Sequence, residues 1–221
     1  MIIQARMGSR RLPGKVLMPL GRSTVLGFQV ELLRRYGERL QCVVATTWER
    51  SDDDLVQYCI ANGISVFQGS SLNVFQRILE CAGYYEFKSV VRLTGDNPCI
   101  DCGVLKECIA EHRQYGPDLT TTRKIHGDGA IERYVKKGQS IDILKVSSMH
   151  KLDKRPLNEY QAEHVIPAFF SRNCDIRYVR RETGAGESLS IDTVDDYERV
   201  KGLIDKLTAS GRLDEFLDYG S

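Results

Sequence analysis

Charge of one sign is not in excess in this chain. Thirty-one Lys and Arg face 30 Asp and Glu, a net charge of +1. No bulk field therefore draws it to nucleic acid or to an anionic membrane. Long apolar runs are missing too, and none approaches the roughly 18 residues of a membrane span. Met1 opens directly on the first apolar run, so there is no room for a signal peptide and a cytoplasmic protein is expected. Cysteines number seven, an odd count, and sit in apolar contexts such as Cys42 and Cys59. They read as reduced core residues. Cys99-x-x-Cys102 with Cys108 lacks a second pair at metal spacing, and His112 is the sole imidazole nearby. Buried thiols at a strand-to-helix junction are favoured there over zinc. Gly-x-x-x-x-Gly-Lys-Ser/Thr, Gly-x-Gly-x-x-Gly and an Asp-x-Asp after Thr94 are all absent, as are internal repeats and low-complexity tracts.

What is present is an ordinary globular composition, 42% apolar and 28% charged, in 221 residues that fit one domain, 1–221. Strands and helices alternate. The pattern predicts strands at Leu40–Thr46, Ser65–Gln68 and Ser89–Thr94, each followed by a helix: Asp52–Asn62, Leu72–Tyr85 and Cys102–Tyr115. Ser51 is the expected cap of the first of these, and Gly63 its stop. Such alternation implies an α/β, Rossmann-like, mostly parallel sheet with helices on both faces. Ligands bind such sheets outside the carboxyl ends of the strands.

After about Tyr115 the alternation fails. Asp118–Arg123 and Ser140–Val146 read as strands joined by a glycine-rich basic link that includes Lys136, Lys137 and Gly138. Pro156–Phe170 reads as a helix interrupted by Pro167, and Asp175–Arg180 as an exposed strand. Leu189–Asp192 reads as a short strand before an amphipathic helix, Thr193–Thr208.

The chemistry concentrates at the start. Met1–Ile3 reads as a buried strand that breaks into a loop with Gly8, Gly14, Pro13 and four cations, Arg6, Arg10, Arg11 and Lys15. Glycine lets backbone approach a ligand and turn its N–H groups toward anions. Arginine forks fit phosphate oxygens in pairs, and lysine adds a point charge. Four cations suit a triphosphate; the plainer alternative is a basic surface turn. This loop, Thr46-Thr47 and Gly95-Asp96 all lie at predicted strand ends, so they converge on one rim.

Six segments in order carry a resemblance. They are Gln4-Ala5-Arg6-Met7-Gly8-Ser9 with Arg11-Leu12-Pro13-Gly14-Lys15; Val43–Thr47 with Ser51-Asp52-Asp53; Val66–Ser70; Arg92–Pro98; Glu163-His164-Val165; and Ser190–Tyr197. Together they resemble the cytidylyltransferase family of CMP-acylneuraminate and CMP-KDO synthetases, most closely its spore coat polysaccharide branch. The resemblance implies CTP as substrate, Mg2+ on Asp96 and Asp192, and a homodimer through an arm at about 118–172. The alternative for that segment is an exposed insertion in a monomer. The nucleotide set it implies is Gln4, Ala5, Arg6, Gly8, Ser9, Arg11 and Lys15. Thr46, Thr47 and Ser70 are candidates for base or ribose, and Lys15, Arg6, Asp96 and Asp192 for catalysis.

Two other readings stay open at this point. Asp192 could be the N-cap of the last helix, and Asp96 a turn residue before Pro98. On the acceptor side, Asp142 and His164 are candidates, with Arg172, Arg177, Arg180 and Arg181 as possible readers of an acidic group. Here the chain departs from the family: Ser140-Ile141-Asp142-Ile143-Leu144 stands where Gly-Leu-Asp-Val-Glu is usual, and Ser188 stands where arginine often does. The implied activity is transfer of CMP from CTP to an acidic sugar. A sugar phosphate or phosphonate acceptor, or a silent nucleotide-binding subunit, are the alternatives.

Overall fold

The computed structural model describes residues 1–36, 40–181, 187–213 and 215. In chain order the strands are β1 Ile2–Gln4, β2 Pro19–Leu20, β3 Ser23–Thr24, β4 Val43–Thr47, β5 Ser65–Gly69, β6 Ser89–Thr94, β7 Leu119–Thr121, β8 Arg123–Ile125, β9 Ile131–Arg133, β10 Asp142–Lys145 and β11 Ile176–Tyr178. The helices are α1 Val25–Tyr36, α2 Asp53–Ala61, α3 Val74–Tyr84, α4 Cys102–Tyr115, α5 Val146–Asp153, α6 Glu159–His164, α7 Ile166–Phe170 and α8 Val194–Ala209.

Seven strands form one sheet in the order β11-β7-β10-β6-β1-β4-β5. All neighbours pair parallel except β10, which runs antiparallel to both β6 and β7. The expected mostly parallel α/β sheet is therefore what the chain forms. Side chains alternate across it. Ile3, Val44, Val91 and Ile143 enter one core with α1, α2, α4 and α8. Their neighbours Ile2, Val43, Val90 and Leu144 enter a second with α3, α5 and α7. That is the period-two alternation of a sheet covered on both faces. Among the described residues no helix is long and apolar enough to cross a membrane.

Several boundaries differ from expectation, each for a local reason. Ser51 does not cap α2. The chain enters that helix through a 3-10 turn, Arg50–Asp52, with no side-chain cap. Helix α3 starts at Val74 because Asn73 Oδ1 accepts from Gln76 N at 2.9 Å. The helix expected at Pro156–Phe170 divides at Val165 (φ 65°) rather than at Pro167, which sits in the first turn of α7, where a missing N–H costs nothing. Leu189–Asp192 forms no strand, although Leu189 N donates to Lys137 O at 2.8 Å and Ile191 N to Asp96 O at 2.9 Å. Much of the segment expected as an arm belongs to the central sheet through β7 and β10. Only the β8–β9 ribbon stands apart from it.

Candidate active site

The loop after β1 is folded on itself. Ser9 N and Gly14 N both donate to Met7 O, at 2.8 and 2.9 Å. Gly14 takes φ +72°, a left-handed turn that delivers Lys15 into the 3-10 turn behind it. From behind, the buried Asp52 accepts from Met7 N at 2.7 Å. Its other oxygen accepts from Thr46 Oγ1 at 2.8 Å, Thr47 Oγ1 at 2.5 Å and Thr47 N at 3.2 Å. Thr46 and Thr47 are buried and their hydroxyls are committed to Asp52. The expectation that they touch base or ribose is corrected: they fasten the end of β4 to the loop. Ser70 is likewise engaged, its hydroxyl accepting from Asn73 N at 3.0 Å.

Lys15 is the centre of the rim. Buried to 7% exposure, its ammonium donates to Asp96 Oδ2 at 2.8 Å and Ile191 O at 2.6 Å, and lies 3.6 Å from Asp192 Oδ1. Arg11 reaches Asp192 Oδ1 at 2.9 Å, and Lys137 reaches Asp192 Oδ2 at 3.2 Å. Burial pushes the Asp192 carboxyl up, but the Lys137 hydrogen bond and the charges of Lys15 and Arg11 outweigh it and hold the group below the usual carboxylate range. Asp192 is not the helix cap. Thr193 is, in a reciprocal capping box with Asp196. Gly95 makes the approach of β1 and β6 possible, since a Cβ there would fall 2.9 Å from Ala5 Cβ. Arg6, Gly8 and Arg10 lie exposed on the loop, and Ser9 Oγ accepts from Leu12 N at 3.4 Å.

Beyond the two carboxylates opens a cavity of about 360 Å3 that Asp96, Asp192, Asp142 and His164 all line. Asp142 pairs in register with Arg92 on one side and Thr121 on the other. It is buried, and it accepts from Thr121 Oγ1 at 2.7 Å, from Arg92 Nη1 at 3.3 Å and from Arg123. Its oxygens hold two of the arginines that line the cavity with it. Gln4 is spent similarly, its Oε1 accepting from Arg92 Nε at 2.9 Å. His164 is exposed at the end of α6, its ring edge-on to Tyr160 at 4.6 Å.

The arginines expected to read an acidic acceptor lie elsewhere. Arg177 binds Glu111 at 2.7 Å and covers the Tyr115 ring, Arg180 covers Tyr134, Arg181 faces Asp101, and Arg172 donates to two backbone carbonyls. Arg92, Arg123, Arg133 and Lys137 line the cavity instead. Of these only Lys137 stood out beforehand, within its basic link. Cys99, Cys102 and Cys108 are buried, and burial pushes the Cys99 thiol up to about 12.

A family model described as cytidylyltransferase matches residues 1–210. The chain belongs to the cytidylyltransferase family. As a member it is an enzyme that uses CTP for nucleotidyl transfer. This cytidylyltransferase is similar to the spore coat polysaccharide biosynthesis protein SpsF of Bacillus subtilis, 34% identical over 93% of this chain and 85% of that one. Among solved structures it is similar to a cytidylyltransferase from Leptospira borgpetersenii (32% identity, TM-score 0.81, covering 96% and 94% of the two chains). It shares its fold with a CMP:2-keto-3-deoxy-manno-octonic acid synthetase solved with CTP (17% identity, TM-score 0.73, 93% and 97% covered).

Proposed function

We propose that this cytidylyltransferase uses CTP and Mg2+ to make a CMP-activated acidic sugar for a surface glycan, releasing pyrophosphate. We read it as one cytoplasmic domain that pairs with a second copy through the segment at about 118–172. One observation carries the chemistry: Lys15 bridges Asp96 and Asp192 at the mouth of the cavity, beside the basic loop. The polysaccharide role rests on the likeness to the Bacillus spore coat polysaccharide biosynthesis protein. Two large apolar side chains exposed on the segment, Ile131 and Tyr160, support the pairing.

The donor set suits magnesium. Both carboxylates offer hard oxygens, and one or two carboxylates beside substrate phosphates is the usual complement. Asp96 and Asp192 would hold the ion, whose chemistry is to neutralise charge on the triphosphate. Arg6, Arg11 and Lys15 would hold phosphate oxygens, and the open backbone at Gly8 allows close approach. An acceptor hydroxyl in the cavity attacks the α-phosphorus. The new O–P bond forms as the bond to pyrophosphate breaks, and the hydroxyl proton passes to solvent. Lys15 and Arg11 face the charge that grows on the leaving group. His164, on the cavity wall, would orient the acceptor.

Pyrophosphate release from each of four NTPs, with a panel of acidic sugars, sugar phosphates and phosphonates, is the test. CTP with an acidic sugar is the expected pair. Release with no CTP combination overturns the reading. Light scattering should give twice the 25.0 kDa chain mass, and a monomer at micromolar concentration removes the pairing.

A further inference from the structure

At the opposite ends of the same strands lies a separate pocket of about 720 Å3, against about 360 Å3 for the active-site cavity. The two share no lining residue, although β6 and β10 border both. β6 meets the cavity at Arg92 and Thr94 and the pocket at Ser89 and Val91. The pocket is of a size that takes small ligands, roughly 300–1,000 Å3.

Its walls are mostly carbon. Val91, Ile143 and Val146 are buried, and Leu40, Phe87 and Ile109 are half-buried around them. The buried polar side chain in the wall, His112, has both ring nitrogens matched, 3.0 Å from Thr120 Oγ1 and from Ser89 Oγ. It therefore needs nothing from an occupant. Water gains little from such walls, and an apolar body gains most.

The border is different. Exposed Lys88 and Arg113 and half-buried Lys145 line the pocket, and among the described residues no Asp or Glu does. The Lys88 and Arg113 side chains make no hydrogen bond or ion pair among the described residues. Lys145 spends one hydrogen on Gly116 O at 3.0 Å. Its charge also acts on Asp118, but that carboxylate is taken up by Ser148 Oγ and Asp175 N and does not line the pocket. Helix α5 opens at the same edge without a side-chain cap, so the positive end of its dipole adds to the three cations. In a chain of net charge +1 this excess is local.

We propose that the pocket binds an amphipathic anion, with a single apolar chain against Val91, Ile109 and Ile143 and a carboxylate or phosphate head held by Lys88, Arg113 and Lys145. The proposal does not depend on the reaction proposed above. A neutral apolar molecule would leave the cations unmatched, and a bare anion would leave the walls wet. A second copy of the chain fits less well, because Ile131 and Tyr160, which support the pairing, line the active-site cavity instead.

Calorimetric titration below the micelle concentration tests this without turnover. Decanoate and decyl phosphate are the probes, with decanol and inorganic phosphate as their separate halves. At least one whole probe should bind 10-fold or more tightly than either half. Octyl phosphate should bind about 10-fold more weakly than decyl phosphate, the effect of two fewer buried methylenes. Lys88→Gln with Arg113→Gln should lose about 5-fold, the modest effect of two exposed charge contacts. Ser147→Trp, which narrows the pocket from an exposed wall, should lose more. In both variants the melting temperature without probe and the CTP affinity should stay at wild-type values. Which head binds better separates carboxylate from phosphate. Inorganic phosphate bound as tightly as decyl phosphate, decanol bound as tightly as the anions, or no dependence on chain length overturns the proposal. So does equal affinity in wild type and both variants. Light scattering that shows paired chains separating in the Lys88→Gln/Arg113→Gln protein assigns this face to a second copy and overturns it too. Probe binding in a protein that fails to bind CTP keeps the site and sinks the proposed reaction instead.

Discussion

The two ends of the cavity are built by opposite strategies. The loop end comes from one contiguous stretch, residues 4–15, and its cations meet carboxylates from two distant segments, Asp96 and Asp192. The ribbon end has no contiguous motif. Arg92, Arg123 and Asp142 come from three elements and meet only because β10 runs antiparallel between β6 and β7. The loop end sets Lys15, Arg11 and Lys137 against two carboxylates, and the ribbon end sets Arg92 and Arg123 against one. One end is fixed by a motif, while the other is assembled from the sheet's late, irregular strands.

Four perturbations would break or sharpen that contrast. The largest effect is expected at the loop end. Asp96→Asn and Asp192→Asn should each lower turnover by orders of magnitude, with melting temperatures little changed, because Thr193 and not Asp192 caps α8. Pyrophosphate release beside a thermal melt decides this, and an active Asp192→Asn enzyme would make that carboxylate structural only.

At the ribbon end the same type of change should act on folding. Asp142→Asn leaves Arg92 buried beside a neutral amide; burial already pulls that guanidinium down to about 10, and the pull of Asp142 opposes this. Breaking such a buried pair costs about 3–5 kcal/mol. Urea unfolding should show it, and an unchanged midpoint would mean Arg92 finds compensation elsewhere.

A smaller loss is expected from Lys15→Ala, whose CTP affinity should drop by about 1.5–3 kcal/mol, the worth of a charge-assisted contact. Calorimetry giving wild-type affinity would take the loop out of phosphate binding.

The smallest effect lies at the opposite rim and serves as a control. His112 is buried between Thr120 Oγ1 and Ser89 Oγ, each at 3.0 Å. Burial, aided by the Lys145 charge, pulls its imidazole below 6.5. The unfolded chain therefore takes up the proton first as pH falls. The contribution is complete above about pH 6.5 and fades below it. Urea midpoints at pH 7.5 and 5.5 should separate in wild type and converge in His112→Asn.

Legibility in the sequence followed the same division. The parallel half was readable because each strand is a short apolar run closed by a turn; Ser89–Thr94 and Cys102–Tyr115 fall where expected. Asp96 and Asp192 were expected at the rim because each closes a short apolar run, and Lys15 because it belongs to the basic glycine loop after the first run; the fold brings the three within ion-pair distance. Thr46 and Thr47 misled for a physical reason: a strand-end hydroxyl can face a ligand or a buried carboxylate, and nothing near Asp52 in the chain marks it as buried. It reads as one more acid in a helix's first turn. Arg92 sits in an apolar strand and gave no sign of its partner 50 residues later. Arg123 and Arg133 lie in a stretch where period and propensity are both weak. The break in α6–α7 depends on Val165, whose left-handed backbone no β-branched residue advertises.

The loop after β1 keeps its shape and its charge on different atoms. Backbone bonds to Met7 and the Asp52 carboxylate hold the frame, while Arg6 and Arg10 extend into water. A frame fixed before any ligand arrives has little ordering entropy left to lose on binding. Removing an exposed cation should then leave the loop's geometry alone and show itself kinetically. Steering of the anionic nucleotide would weaken, so it would find the site more slowly, most clearly at low salt. Cutting the Asp52 tether should do the reverse, keeping the charges but making each encounter wait for the loop to form.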